Sequence, residues 1–81
     1  MVPIHREPHR EGELLLGWPT WDPTGQKYKR MSVKYSYPDR RGRPSRGAPE
    51  VPMETLVAML KVALRHQQIR PAERVQLKKL L

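Results

Sequence analysis

The chain predicts a small α+β domain, in which an antiparallel sheet of two to four strands packs on one amphipathic helix and a short second helix follows. Three observations predict it. Residues 28–37 alternate apolar and polar side chains with a period of two. From Met53 the apolar period lengthens to three and four residues. Between and before these stretches lie turn clusters rich in Pro, Gly and Asp. Eighty-one residues support one modest core, and 37% hydrophobic residues with no Phe and nine Pro leave that core to about half of the chain.

Met1 to residue 12 mixes Pro, His and charge without an apolar period, so a flexible tail is expected at 1–12 and a single domain over 13–81. Leu14-Leu15-Leu16, bounded by Gly and Pro, reads as a brief strand. Asp22-Pro23-Thr24-Gly25 carries the residue preferences of a type I turn. After it, Met31, Val33, Tyr35 and Tyr37 would line one strand face. Tyr28, Arg30, Ser32, Lys34 and Ser36 would line the other. Pro38-Asp39-Arg40-Arg41-Gly42 is a second turn, and 43–51 can form only a short edge strand or extended loop, since Pro44 and Pro49 cannot donate to a ladder.

Met53, Leu56, Val57, Leu60, Ala63, Leu64 and Gln67 fall on one face of a helix expected over 53–68. Pro52 and Glu54 suit its start; Arg65 and His66 suit its end. Pro71 opens a second helical segment to residue 81, whose Val75, Leu77, Leu80 and Leu81 need cover. The partner or dimer surface is accordingly placed on Leu56, Leu60, Leu64, Val75, Leu77 and Leu80.

Sixteen Lys and Arg against eight Asp and Glu give a net charge of +8, unevenly distributed. Residues 1–26 carry −2, residues 27–46 carry +7, and the remainder carries +3. No Ser or Thr sits in a nucleophile turn, and no two carboxylates are held on one rigid face, so an enzyme is not expected. His5 and His9 lack a third ligand, the five glycines form no phosphate loop, and there is no Cys; neither metal nor cofactor is expected. With no long apolar run, no membrane span or secretory signal is expected, and the chain reads as a cytoplasmic or nucleoid-associated protein.

The basic stretch is therefore the strongest functional signal. Lys27, Tyr28, Lys29, Arg30, Lys34, Arg40, Arg41, Arg43 and Arg46 combine clustered cations with an aromatic ring, the chemistry that grips phosphates and stacks unpaired bases. Trp18 and Trp21 are expected to pack in the core or hairpin, with stacking open to one of them. The expected ligand is single-stranded or distorted DNA or RNA with little sequence reading. Two other readings compete: an adaptor or inhibitor that docks through its C-terminal helices, and a ribbon-helix-helix regulator with Ala48 to Val51 as its strand.

Tyr28 to Tyr37, Asp39-Arg40-Arg41-Gly42, the basic loop Arg43 to Gly47, Pro49 to Val51 and the helix Met53 to Gln68 together resemble the positive-cofactor-four family of single-stranded-DNA-binding transcriptional coactivators. The resemblance covers about half of the chain and is one of pattern. It implies that Arg30, Lys34, Arg43 and Arg46 line a curved face for unpaired strands, and that the helix pairs two subunits in a homodimer.

Overall fold

The computed structural model describes residues 1–43 and 48–81. Four strands, β1 (Val2–His9), β2 (Gly12–Trp18), β3 (Ser32–Ser36) and β4 (Val51–Pro52), form one antiparallel sheet in the order β1-β2-β3-β4. Two helices follow, α1 (Met53–Arg65) and α2 (Pro71–Leu80). The α+β class read from the sequence is the observed one.

The opening segment corrects the expectation of a tail. β1 pairs with β2 along its whole length, from Val2 opposite Trp18 to His9 opposite Gly12, with one irregularity between Pro3 and His5. Pro3 and Pro8 are compatible because β1 is an edge strand, where one side of the backbone has no ladder to join. Arg10, at φ 53°, turns the chain into β2.

The register fixes the two faces of the sheet. Leu16, Val33 and Val51 stand side by side, as do Leu14 and Tyr35. With Leu56 of α1 they line a groove of about 760 Å³. Tyr35 also meets the ring of Tyr37 at 5.3 Å and the edge of His9 at 5.5 Å. Arg6, Leu15 and Lys34 share a cross-strand row.

The core is small. Among the described residues, Leu15, Pro19 and Ala48 are the buried apolar side chains, together with the polar Ser32 and Asp22. Ser32 Oγ has no hydrogen-bond partner among the described residues. α1 touches only β3 and β4, α2 touches no other strand or helix, and neither helix has a buried residue.

The segment entering β4 is pinned by Glu50. Its carboxylate accepts hydrogen bonds from the Thr20 amide (3.0 Å) and hydroxyl (2.7 Å) and pairs with the Met1 ammonium at 2.5 Å. Burial pushes this carboxyl up, but the bonds from Met1 and Thr20 outweigh it and hold it below its ordinary value of 4.5. A carboxylate lowered in the folded state stabilises fully above its unfolded value and progressively less as pH falls through the folded one. Denaturation midpoints should therefore differ between the parent chain and Glu50→Gln at pH 7, and the gap should close in acid, starting near pH 4.5. A gap of constant size down to pH 3 would contradict this.

α1 ends earlier than the periodicity suggests, at Arg65 rather than 68. Gln67 adopts φ 57°, and the amides of Gln67 and Gln68 bond back to the carbonyls of Leu64 (3.1 Å) and Ala63 (2.9 Å). This is a Schellman cap with Gln at the position that favours Gly. Gln67→Gly should stabilise the helix end by about 1 kcal/mol, and Gln67→Val should weaken it, read as opposite shifts of the far-UV dichroism melting midpoint.

Candidate nucleic-acid interface

The turn between β2 and β3 is organised by Asp22, which is 5% exposed. Its amide bonds to the Pro19 carbonyl, its own carbonyl accepts from Gly25, and its carboxylate accepts from the amides of Lys27 (3.3 Å) and Tyr28 (2.9 Å). Gly25, at φ 70°, sits against the ring of Trp18, where a side chain would collide. Trp18 is thus part of the turn's packing, as expected of it, while Trp21 stays on the surface at 49% exposure.

This turn shortens the strand read from the sequence. Asp22 holds the backbone through Tyr28, and Lys29 then takes φ 55°, so extended structure starts only at Ser32. The alternation over 28–37 consequently does not run from Tyr28 to Lys34, and the single strand face expected to carry Tyr28, Arg30 and Lys34 is replaced by two basic turns joined by β3.

At one end of β3, Trp21, Tyr28 and Arg30 line an open depression of about 520 Å³ together with Met31, Pro52, Met53 and Glu54. Tyr28 is 58% exposed and carries the Lys27 ammonium over its ring at 5.0 Å. Arg30 approaches Glu54 at 4.0 Å, with both side chains more than half exposed, a contact that water screens and that contributes little. Lys29 lies in the same connection.

At the other end, Asp39 caps the second turn. Its carboxylate accepts from the amides of Arg41 (2.8 Å) and Arg43 (3.0 Å), and Gly42 takes φ 76°. Asp39 is spent on backbone donors, which leaves the guanidinium groups of Arg40, Arg41 and Arg43 to solvent. Lys34 stands between the two ends, opposite Leu15, and is among the residues that border the groove. Arg46 lies outside the described residues, as do Pro44, Ser45 and Gly47 of the expected basic loop.

The electrostatic consequence follows from where the acids are used. Among the described residues the ion pairs are Met1 with Glu50, Arg6 with Glu13, and Arg30 with Glu54. Lys27, Lys29, Lys34, Arg40, Arg41 and Arg43 therefore have no carboxylate within pairing distance among the described residues. The five residues of β3 span about 17 Å, so the two basic turns stand several phosphate spacings apart.

Trp21 was expected to pack in the core or hairpin, with stacking left open to it or to Trp18, and it lines the depression. The signal that could have found it is the Asp22 hub, which commits Trp18 to the inside of the turn and leaves Trp21 outside. No group of three His, Asp or Glu side chains among the described residues stands close enough to share a metal ion. Of the residues placed on a partner surface, Leu56 borders the sheet groove, and it is exposed like Leu60, Leu64, Val75, Leu77 and Leu80. β4 is the edge of a four-stranded sheet within its own chain, starting at Val51 rather than Ala48 as the ribbon reading had it. No described helix is long and apolar enough to cross a membrane. No family model matches the chain, and no curated protein or solved structure matches it either.

Proposed function

We propose that the chain is a non-catalytic binding protein for single-stranded nucleic acid, with an unpaired base stacked between Trp21 and Tyr28 and the backbone held by the cations of the two turns. The observation that carries this reading is the depression itself: two half-exposed aromatic rings and a guanidinium converge on it, beside Lys27 and Lys29. An exposed Trp and Tyr around one cavity lose hydration poorly and gain by stacking, which any base can supply through its π face. Arg30 adds a planar group that stacks and bonds phosphate in two places.

Duplex DNA buries its bases and offers this depression nothing to stack, so the preference is for unpaired strands. Little sequence discrimination is expected, because stacking and phosphate contacts carry no base-edge code. Homodimer formation and a site in the cytoplasm or nucleoid belong to the same proposal. Fluorescence polarisation of a labelled oligothymidylate, titrated at several salt concentrations, tests it. With about five phosphates contacted, log affinity should fall against log salt with a slope near −3.5. A slope near zero, or equal affinity for duplex, would refute the reading.

A further inference from the structure

We infer that the groove on the α1 side of the sheet receives α2 from a second copy of this chain, giving a homodimer with reciprocally exchanged C-terminal helices. The first ground is area. The chain exposes 7073 Å², whereas a compact protein of 9.5 kDa exposes about 5,000 Å². The surplus of about 2,000 Å² per copy is what each partner of a large obligate homodimer contributes. The radius of gyration agrees, at 14.4 Å against about 12 Å for a compact chain of this length.

The second ground is which surfaces make up the surplus. On α2, Leu77 is 38% exposed and Leu80 84%, and the helix contacts no other element of its own chain. The groove offers Leu14, Leu16, Val33, Tyr35, Val51 and Leu56, with Leu14 left 41% exposed. The capped end of α1 and the bond from the Arg70 amide to Glu73 (2.9 Å) define both sides of the linker, beyond which α2 makes no contact with its own sheet.

The third ground is charge. Glu7 lines the groove at the β1 edge, with Lys34 on β3, and the β1–β2 hairpin (residues 2–18) carries −1, whereas residues 70–81 carry +3. Positive ends of α2 therefore meet the negative hairpin of the partner. A second copy fits better than a different protein because each chain holds both halves of the contact. Two copies related by a twofold axis satisfy both halves at once and leave none open.

The chain has no cysteine, which permits a direct test. Full-length Leu14→Cys and Leu77→Cys chains are mixed, refolded together and oxidised, and the parent chain is weighed in solution. The expected results are twice the 9.5 kDa chain mass and a mixed Leu14→Cys to Leu77→Cys disulfide about tenfold more abundant than either self-disulfide, because the bond tolerates only a narrow separation. A monomer mass at micromolar concentration overturns the inference. So does a dimer without the mixed disulfide. So does rapid closure within a single chain carrying both substitutions, which would place α2 on its own sheet.

Discussion

Replacing Trp21 with Ala is expected to weaken binding of a single-stranded oligonucleotide by about 1 to 3 kcal/mol, roughly 5- to 150-fold, the range that loss of one base-stacking ring produces. The loss should appear at high salt as well as low, because stacking releases no counterions. Arg40→Ala with Arg41→Ala should behave differently: these side chains offer charge alone, so affinity should fall mostly at low salt and the salt slope should flatten by roughly 1 to 1.5. Polarisation titrations of the two variants against the parent at low and high salt check both halves. Equal loss of slope in both would remove the distinction between a stacking end and a phosphate-holding end. The fold should survive both changes, since Trp21 is half-exposed and the two arginines lie in an open turn capped by Asp39.

Gly17→Ala is expected to cost about 3 kcal/mol or more of stability. Gly17 is buried in β2, and a Cβ there would overlap the Val2 carbonyl oxygen and lie 2.8 Å from the Pro3 Cα. Both are backbone atoms, so relief requires β1 to separate from β2 rather than a side chain to rotate. Because total stability is only about 5 to 15 kcal/mol for ordinary domains and low for small ones, much of the chain should unfold at 37 °C. Gly42→Ala is the matched control: it has a positive φ of 76° but nothing within 4 Å of the added Cβ, so only the backbone conformational cost of about 1 to 2 kcal/mol applies. Urea titrations of the two variants compare them, and equal costs would deny the close approach of β1 to Gly17.

The elements legible in the sequence were those whose cause is local. α1 and α2 follow from apolar spacing, with Pro52 and Pro71 at their starts, and the turns at Asp22 and Asp39 follow from side chains that bond their own neighbouring amides. β1 was not legible because its partner, β2, decides it. Val2-Pro-Ile-His-Arg-Glu-Pro-His has no apolar alternation, and only pairing with the Leu14 to Leu16 run makes it a strand. The start of β3 was misplaced for a related reason, since nothing in Tyr28-Lys29-Arg30 announces that Asp22, six residues earlier, holds it in a turn.

The candidate site was legible in its charges and only partly in its shape. Among the described residues, Lys27, Lys29, Arg30, Arg40, Arg41 and Arg43 have no carboxylate partner except at the exposed Arg30–Glu54 contact. Their division between two ends of β3, and the surface position of Trp21, depend on how the first turn closes around Trp18.

Intrinsic fluorescence reports directly on whether a base stacks at Trp21. Adding oligothymidylate to the parent chain should quench its tryptophan emission, and Trp21→Phe, which keeps only the packed Trp18, should still bind yet lose the quenching. Emission that stays unchanged while the oligonucleotide binds, or quenching that persists in Trp21→Phe, would place the contact somewhere other than this depression.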